Sequence, residues 1–468
     1  MIKNKIVFSK NDLLAIFGEK YCRNLKDSWS CKGISIDSRE IDKGNLFVAL
    51  RGTKINGNDK TLESLEMGAS ACLIEKEWFE DNKIGLEGKP LIVVDDTIEA
   101  LGKLANFHRH RFEFPVVAIA GSNGKTTTKD MTAHLLSQKF KTLKTHSNFN
   151  NQLGVPLTLF QLEEGIEAAV IEMGTNEVGE MALLSDLIAP THGLITNIGE
   201  EHLEQFIDLV GVELEETFLF GYLKRRDGIA FINANDEILS KYTNILDKKC
   251  LFGQSGEVDV KGSVELNENL NPILDLEYEG RTLNVQMNTK GMLTGSNALA
   301  AAAVAFNLGL SDQEIKQGLE SYETDSSNDF GRMLYETVSD IIIMNDCYNA
   351  NPSSMKSALG SLQTVRSNGK KYAALGDMFE MGDSTLAKHE EVIASALEST
   401  DIVLVCGQHM MEASEKFDGN KKLLAFEDNI KLSEKLLTEI NNGDFILVKG
   451  SRGMKMEEVV RALKSKFN

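Results

Sequence analysis

An apolar run that ends in a glycine-containing turn and continues into a helical pattern is the feature that most constrains this chain. Residues 116–120 are apolar, and residues 121–127 read Gly-Ser-Asn-Gly-Lys-Thr-Thr. Glycines let backbone N–H groups approach phosphate oxygens, a helix N-terminus attracts anions, Lys125 supplies a cation and Thr126 supplies a hydroxyl that reaches Mg²⁺. The strict phosphate-loop pattern requires a further glycine at the position of Ile119. The match is therefore partial, and an ordinary glycine turn is the alternative. The stretch predicts a strand, a phosphate-binding loop and a helix.

Length and charge restrict the class of protein. A chain of 468 residues is too long for one core, and its length favours about three domains. The net charge of −20, from 70 acidic and 50 basic residues, argues against general affinity for nucleic acid or anionic membranes. No apolar run approaches membrane-spanning length and no signal-peptide pattern opens the chain, which predicts a cytoplasmic protein. Six scattered cysteines without a Cys-x-x-Cys pair predict neither a disulfide framework nor a zinc site.

Alternating strand-like and helical patterns predict an α/β fold of three domains. Residues 1–93 carry short apolar runs between Gly, Asn and Asp turns, which predicts a small N-terminal α/β domain. Residues 94–323 predict a central P-loop domain with a mostly parallel sheet covered on both faces, entered through a helix over 96–112. Residues 324–468 predict a Rossmann-like, doubly wound domain. The strand-like runs after the phosphate loop are residues 168–173, 192–198, 228–233, 341–344, 372–375, 401–405, 423–426 and 445–448.

Several polar residues follow these runs, at the edge where doubly wound sheets bind ligands. Glu172 ends one run and His202 follows another; near a phosphate loop such groups suit Mg²⁺, although a capping carboxylate and a structural histidine are the alternatives. Residues 148–156 form a polar cluster that could equally be a turn. Residues 346–354 and 449–453 follow strand-like runs in the last domain. The second of these, Lys-Gly-Ser-Arg-Gly, suits an anion, with a solvated loop as the alternative.

In combination these segments resemble the Mur ligases over essentially the whole chain. The resemblance is strongest to the members that join D-alanyl-D-alanine to UDP-N-acetylmuramoyl-tripeptide. The matching segments are residues 37–39, 44–52, 121–127, 150–156, 172–174, 196–204, 346–354, 376–378, 380–382 and 448–453. The run Tyr-Asn-Ala-Asn-Pro at 348–352 and the run Lys-Gly-Ser-Arg at 449–452 are the most specific, and the common order of the segments makes a chance match improbable.

The resemblance implies that the N-terminal domain holds the UDP end of the substrate, the central domain holds ATP, and the C-terminal domain closes over both. It implies nucleotide contacts from Gly121, Ser122, Asn123, Gly124, Lys125, Thr126, Thr127, Asn297, Arg332 and Asp346. It implies substrate contacts from Ser38, Arg39, Asn150, Asn151, Tyr348, Asn349, Asn351, Ser354, Lys449, Ser451 and Arg452. It implies Mg²⁺ ligands at Thr126, Glu172 and His202, and catalytic roles for Lys125, His202 and Glu216.

The implied reaction is an ATP-dependent amide ligation in peptidoglycan synthesis. The γ-phosphoryl group of ATP would pass to the tripeptide carboxylate, and the amine of the dipeptide would attack the resulting acyl phosphate. Two anions meet in the first step, so Lys125 and Mg²⁺ are needed to offset their repulsion. The implied partners are the muramoyl tripeptide and D-alanyl-D-alanine, with no nucleic acid and no membrane, and the protein is expected to be a monomer.

Three segments depart from the pattern of the family. The family usually carries a carbamate-modified lysine in a Lys-x-Glu motif; here the best register places Glu216 and Phe218 there. We hypothesise that Glu216, or its neighbour Glu215, positions the second metal directly; the alternative is a surface acidic helix. Thr294, preceded by Leu293, stands where the family has Asn after an aromatic residue or His, and Asn58 stands where a His is common.

These departures leave other functions open. One alternative is another ligase of the same architecture, which adds one amino acid to a UDP-muramoyl peptide or glutamate to folate. A second is a catalytically weakened paralogue that binds a nucleotide or UDP-sugar and regulates. The sequence does not distinguish diaminopimelate from lysine as the third residue of the tripeptide. No protein-kinase catalytic loop is present, so a generic kinase is disfavoured.

Overall fold

The structure is a computed structural model that describes residues 3–324, 331–365, 367 and 369–467. The chain folds into two compact units. The first unit comprises Met1–Ala118, Phe140–Gly174 and Glu180–His192, and the second comprises Ile119–Lys139, Thr175–Gly179 and Gly193–Asn468. The three-domain division with boundaries after residues 93 and 323 stays a prediction.

The strands of the described residues are short and lie throughout the chain. They are β1 (Val7–Ser9), β2 (Cys22–Arg23), β3 (Ser30–Lys32), β4 (Ile34–Ser35), β5 (Leu46–Val48), β6 (Ala71–Glu75), β7 (Leu91–Val94), β8 (Val116–Ala120), β9 (Thr142–Lys144), β10 (Ala168–Glu172), β11 (His192–Ile195), β12 (Ile229–Asn233), β13 (Lys249–Gly253), β14 (Val260–Leu266), β15 (Pro272–Tyr278), β16 (Arg281–Gln286), β17 (Leu334–Val338), β18 (Ile341–Asp346), β19 (Lys371–Gly376), β20 (Ile402–Cys406), β21 (Leu423–Phe426) and β22 (Phe445–Lys449).

The helices alternate with these strands over most of the chain. They are α1 (Lys10–Phe17), α2 (Thr61–Met67), α3 (Lys76–Asn82), α4 (Thr97–Arg109), α5 (Lys125–Leu136), α6 (Gly154–Leu159), α7 (Glu180–Ile188), α8 (Leu203–Phe206), α9 (Leu209–Glu216), α10 (Phe218–Arg225), α11 (Met292–Asn307), α12 (Asp312–Ser321), α13 (Pro352–Thr364), α14 (Thr385–Ser399), α15 (Gln408–Ser414), α16 (Asn429–Glu439) and α17 (Glu457–Phe467).

The first unit contains the small α/β sheet predicted for residues 1–93. Its strand order is β2-β7-β6-β5-β4; β4 to β7 are parallel neighbours and β2 is antiparallel to β7. Phe47, Cys72 and Ile74 are buried in its core. Helix α4 begins after Asp96, whose carboxylate accepts hydrogen bonds from the first-turn N–H groups, so the predicted helix over 96–112 is confirmed with shorter bounds. The same unit holds the parallel pair β9 and β10.

In the second unit the predicted parallel sheet acquires an antiparallel extension that the sequence analysis missed. Strands β12, β13 and β14 are parallel, but β14, β15 and β16 form an antiparallel meander. Buried and exposed residues alternate along β14 and β15, which is the pattern of a sheet with one solvated face. The expectation of a sheet buried on both faces is therefore wrong for these strands.

The last sheet confirms the predicted doubly wound pattern. Its strand order is β17-β18-β22-β19-β20-β21. Strands β18 to β22 run parallel to one another. The edge strand β17, which was not predicted, runs antiparallel to β18. The register places Asp346, the last residue of β18, opposite Lys449, the last residue of β22. Two of the predicted site residues thus meet at the carboxyl ends of adjacent strands, where sheets of this type bind ligands.

Within the described part of the chain, no helix has the length and apolarity to span a bilayer.

Candidate active site

The loop between β8 and α5 requires glycine at both predicted positions. Gly121 and Gly124 have φ angles of +111° and +80°, which side-chain-bearing residues rarely adopt. A Cβ atom at Gly121 would lie 2.4 Å from Oγ1 and 2.8 Å from the backbone nitrogen of Thr196, and one at Gly124 would lie 2.8 Å from Oδ1 of Asn297 on α11. Helix α5 begins directly after Gly124, with Thr126 and Thr127 in its first turn. A close-packed glycine loop that opens a helix is a phosphate-binding arrangement.

The segment after β11 holds this loop in place. Thr196 Oγ1 and Asn197 Nδ2 donate hydrogen bonds to the carbonyl oxygen of Asn123, over 2.6 and 2.9 Å. The N–H of Asn123 donates to Oδ1 of Asn197 over 3.2 Å. Ser122 Oγ donates to the carbonyl of Gly199 over 3.0 Å and accepts from its N–H over 2.8 Å. The shape of the loop is therefore fixed by partners more than seventy residues away.

Glu216 lies against the phosphate loop. It is fully buried, so the alternative of a surface acidic helix fails for this residue. Its Oε2 accepts a hydrogen bond from the N–H of Gly121 over 2.8 Å, while its Oε1 has no hydrogen-bond partner among the described residues. Burial raises the pKa of Glu216 to about 8 although the Lys125 charge opposes the shift, and the charge of Glu201 adds to it.

Lys125 lies among carboxylates. Its ammonium group donates to the carbonyl oxygen of Gly121, and its Nζ is 3.7 Å from Oε2 of Glu201. Glu201, which the sequence analysis missed, is buried, and its Oε1 has no partner within the described residues. Glu215 accepts from Thr175 Oγ1 over 3.2 Å and from the N–H of Gly179 over 2.8 Å.

The chemistry of these groups fits Mg²⁺. The unpartnered oxygens of Glu201 and Glu216 are hard ligands in a site with an excess of negative charge, and a buried carboxylate is costly without a cation or a proton. No cluster of three His, Cys, Asp or Glu side chains suited to a metal occurs in the described ranges. Mg²⁺ usually completes its shell with water and phosphate oxygens, so the residues fit an ion that arrives with a nucleotide.

His202, a predicted metal ligand, follows β11 in a left-handed conformation with φ +47°. Its Nδ1 lies 2.5 Å from Oε2 of Glu380. The backbone N–H of Glu204 donates to the carbonyl oxygen of Glu380 over 3.1 Å, so the two segments meet at two points. A carboxylate that accepts a hydrogen bond from one ring nitrogen fixes the orientation of the other ring nitrogen. Histidines that bind a metal usually have such a hydrogen-bond acceptor on the nitrogen that does not face the metal.

The predicted residues of the last sheet form one cluster. Lys449 Nζ lies 2.5 Å from Oδ2 of Asp346 and donates to the carbonyl of Asn349 over 2.9 Å. Ser451 Oγ donates to the carbonyl of Ala350 over 3.3 Å. Because Lys449 and Asp346 are both buried, this pair fixes the loop that follows β18.

Tyr348 in that loop contacts two predicted ligand residues. The guanidinium of Arg332 lies 3.7 Å from the centroid of its ring, and that of Arg452 lies 5.2 Å away. Both distances allow cation–π attraction. At the end of the loop, Asn351 caps α13: its Oδ1 accepts from the N–H of Ser354 over 2.7 Å, and Ser354 Oγ accepts from the N–H of Asn351 over 3.0 Å.

The other predicted residues lie in the first unit. Glu172, at the end of β10, is buried, and its Oε1 accepts from Nδ2 of Asn150 over 2.9 Å. Asn151 Oδ1 accepts from two backbone N–H groups at the start of α6. Ser38 is buried in the turn after β4, whereas Arg39 is exposed and paired with Asp37, whose pKa its guanidinium lowers to about 2. Asn150 and Glu172 are thus brought together.

Comparisons with known proteins identify this arrangement. The sequence matches the Mur ligase family, catalytic domain, over residues 30–109, the Mur ligase middle domain over 119–305, and the Mur ligase, glutamate ligase domain over 331–452. The chain is 31% identical over 435 residues to the UDP-N-acetylmuramoyl-tripeptide–D-alanyl-D-alanine ligase of Bacillus subtilis, covering 92% of this chain and 93% of that protein. The chain belongs to the Mur ligase family.

Other relatives agree with this assignment. The Escherichia coli ligase of the same name is 33% identical, with 92% of this Mur ligase and 93% of that protein covered. The crystal structure of MurF from Acinetobacter baumannii superimposes with a TM-score of 0.87 at 27% identity, covering 99% and 100% of the two chains. The structure of MurF ligase from Thermotoga maritima in complex with ADP has a TM-score of 0.81 at 26% identity, covering 93% and 97%.

The remaining departures of this Mur ligase have local explanations. Thr294 Oγ1 donates to the carbonyl of Lys290 over 2.9 Å, one turn back along the chain. Asn58 is fully buried; its Oδ1 accepts from the N–H of Glu75 over 2.9 Å, and its Nδ2 donates to Asn56 over 2.8 Å. Asn58 therefore serves the packing between β6 and the preceding loop.

Sequence reasoning missed Glu201, Ser353 and Glu380 as site residues. The first is one position from His202, the second lies inside the predicted run 346–354, and the third lies inside the matching segment 380–382. The motifs thus contained the residues, but only tertiary contacts single them out, since Glu201 meets Lys125 and Glu380 meets His202.

Proposed function

We propose that this Mur ligase joins the terminal carboxylate of UDP-N-acetylmuramoyl-tripeptide to the amine of D-alanyl-D-alanine, with cleavage of ATP to ADP and phosphate. The product is UDP-N-acetylmuramoyl-pentapeptide, a precursor of peptidoglycan. The observation that carries the proposal is the match to ligases of that name over more than nine-tenths of both chains. A glycine loop with Lys125 at the start of α5 supplies the phosphate site that such a reaction needs.

The chemistry proceeds in two steps. The tripeptide carboxylate attacks the γ-phosphorus of ATP, the bond to the β,γ-bridging oxygen breaks, and an acyl phosphate forms as ADP leaves. The neutral amine of the dipeptide then attacks the acyl carbon, and phosphate leaves with the electron pair of the carbon–oxygen bond while the amine gives up a proton. Carboxylate and phosphate repel each other in the first step, so cationic groups at the phosphate loop lower the barrier.

Different residues of this chain are assigned to the nucleotide, the dipeptide and the UDP-linked substrate. The N–H groups of Gly121 and Asn123 already donate to Glu216 and Asn197. We therefore assign the polyphosphate to the backbone N–H groups at the start of α5 and to the ammonium of Lys125, and the nucleoside to Asn297, which lies against Gly124. The guanidinium groups of Arg332 and Arg452 both lie within cation–π distance of the Tyr348 ring, in the loop that the Asp346–Lys449 pair holds. We assign this cluster to the nucleotide and the acceptor dipeptide. Ser38, Arg39, Asn150 and Asn151 are assigned to the UDP-linked substrate.

Mg²⁺ belongs to this proposal. In the second unit, Thr126 and His202 would hold it, with Glu216 in the role that a carbamate-modified lysine has elsewhere in the family. A metal role for Glu172, in the first unit, stays a prediction. The ion supplies positive charge to the transferring phosphoryl oxygens. The unpartnered oxygens of Glu201 and Glu216 beside Lys125 support a cation at the phosphate loop, with Glu216 among its ligands.

A coupled ADP-release assay tests the function. The purified chain is given ATP, Mg²⁺ and a UDP-muramoyl tripeptide that ends in either diaminopimelate or lysine, with and without D-alanyl-D-alanine. We expect ADP formation that depends on the dipeptide with one of the two tripeptides. In a parallel arm, single amino acids replace the dipeptide. ADP release that depends on a single amino acid would support another Mur-type ligase or a folylpolyglutamate-type enzyme.

A second candidate, a weakened nucleotide-binding paralogue, is favoured by Glu216 and by Thr294, whose hydroxyl is engaged with a nearby backbone carbonyl. It predicts ATP binding without substrate-dependent ADP release. The cytoplasmic location and the monomeric state stay predictions, which fractionation and light scattering of the purified protein address.

A further inference from the structure

Three side chains close a ring of hydrogen bonds between the phosphate loop and the start of α13. Nδ2 of Asn123 donates to Oγ of Ser353 over 2.7 Å. Oγ of Ser353 donates to Oδ1 of Asn351 over 3.0 Å, and Nδ2 of Asn351 donates to Oδ1 of Asn123 over 3.2 Å. Each group uses a donor and an acceptor, so the ring is consistent in hydrogen-bond polarity around its whole circumference.

Neither loop needs the ring for its own shape. The backbone of Asn123 is already held by Thr196 and Asn197. Helix α13 is already capped, because Oδ1 of Asn351 accepts from the N–H of Ser354 and the reciprocal bond to Ser354 Oγ is present. The amide of Asn123 makes a 3.5 Å contact with Oδ1 of Asn197, and its two shorter hydrogen bonds are with residues 228 and 230 positions further along the chain. Its side chain therefore serves the link between the two loops.

Two further features belong to the same contact. A Cβ at Gly199 would lie 2.4 Å from Oγ of Ser353, so the backbone after β11 passes close to the hydroxyl that completes the ring. Near it, Glu200 pairs with Lys388 on α14 over 2.8 Å. The segment that shapes the phosphate loop thus also contacts the elements that follow β18 and β19.

We propose that Asn123 is a positioning residue that couples the phosphate loop to the acceptor-side loop 349–354. When polyphosphate binds the phosphate loop, the ring holds the start of α13 in one position relative to that loop, and with it the segment that carries Tyr348 and Asn349 to the dipeptide. The inference rests on the proposed function for its assignment of that loop to the dipeptide. The coupling itself rests on the three side chains.

The kinetic test uses Asn123→Ala, Ser353→Ala and the double variant. We expect either single variant to raise the KM for D-alanyl-D-alanine about tenfold, the effect of one to two hydrogen bonds, with kcat changed less. The Kd for adenylyl imidodiphosphate should stay within about twofold, since the backbone of the loop is unchanged. Because both residues act through the same ring, the double variant should resemble each single one.

The structural test does not need turnover. Hydrogen exchange at the amides of residues 353–356 is measured with and without adenylyl imidodiphosphate. We expect the nucleotide to slow exchange there in the unchanged protein and to have little effect in either single variant. Lys356→Ala is the control on the same helix, because it removes only an exposed pair with Glu391 and should behave like the unchanged protein.

The outcomes separate the two proposals. If the unchanged protein binds the nucleotide but forms no dipeptide-dependent ADP, the proposed function fails, and the exchange experiment still decides the coupling. The coupling is overturned if exchange at residues 353–356 responds to the nucleotide equally in Asn123→Ala and the unchanged protein. It is overturned as well by additive kinetic effects, or by an active enzyme whose KM for the dipeptide is the same in all variants.

Discussion

Replacing Gly121 by alanine separates the two reasons for glycine in the phosphate loop. The first reason is backbone strain, since the residue has φ +111°. The second is close approach, since a Cβ would lie 2.4 Å from Thr196 Oγ1 and 2.8 Å from Thr196 N. Gly256 offers a matched control: its φ is +90° and nothing lies within 4 Å of a Cβ built there.

The size of the effect follows from the contacts. Alanine in a left-handed conformation costs about 1–2 kcal/mol, which both variants share. At Gly121 the methyl group must also displace Thr196 by about 1 Å, because a normal contact is about 3.5 Å. That displacement strains the bonds from Thr196 to the carbonyls of Ala120 and Asn123, at about 1 kcal/mol each. We expect Gly121→Ala to destabilise the fold by about 2 kcal/mol more than Gly256→Ala.

The assay combines unfolding with nucleotide binding. Urea unfolding gives the stability difference between the two variants, and calorimetry gives the affinity for adenylyl imidodiphosphate. We expect Gly121→Ala to lose at least about tenfold in affinity, as its N–H and carbonyl hold Glu216 and Lys125, and Gly256→Ala to bind normally. Equal destabilisation and equal affinity in the two variants would refute the argument from close approach.

Three further predictions concern buried ionisable side chains. Glu216→Gln should lower activity and raise the Mg²⁺ concentration needed for half-maximal rate; kinetics identical to those of the unchanged protein contradict the assignment. His108 is buried, and burial lowers its pKa to about 4 from the ordinary value of 6.5, so its contribution to stability is present above pH 6.5 and lost as the pH falls toward 4, by up to about 3 kcal/mol. Urea unfolding of His108→Gln should lack that part of the acid dependence. Lys449→Met should destabilise the fold by about 3 kcal/mol because it leaves Asp346 buried without its cation. The control Lys431→Ala breaks an exposed pair with Glu427 and should cost under about 1 kcal/mol. Similar losses of stability in the two variants would count against a special role for burial.

Local patterns were sufficient to predict the elements that a short stretch specifies. The apolar run at 116–120 and the glycines after it predict β8, the loop and α5, because strand, turn and helix preferences all lie within a short stretch of chain. The same reasoning located Asp346 and Lys449 at the ends of β18 and β22. The antiparallel strands β14 and β15 escape this kind of prediction because their buried and exposed residues alternate, so they lack the continuous apolar run that marks a buried parallel strand.

Long-range partners could not be obtained in this way. Asn123 and Ser353 are 230 positions apart, and no periodicity connects them. The sequence offers many serines and asparagines near turns, and each is an ordinary turn former until a partner is placed beside it. Glu201 had the same ambiguity, because a buried carboxylate and an exposed one look alike in a sequence with 70 acidic residues.

Glu216 shows how a departure from a family pattern acquires a physical meaning. A glutamate has a shorter reach than a carbamate-modified lysine, so it can replace one only if its backbone lies closer to the site. Here α9 ends beside the phosphate loop, and the carboxylate accepts a hydrogen bond from the N–H of Gly121 itself. The carboxyl group therefore lies on the loop that must bind a polyanion, next to Glu201 and Lys125, and burial raises its pKa to about 8. A cation that shares the carboxylate oxygens and the phosphate would offset the repulsion between Glu216 and the polyanion, with Glu216 as one of its ligands. Loss of that ligand in Glu216→Gln should therefore raise the Mg²⁺ concentration that the enzyme needs.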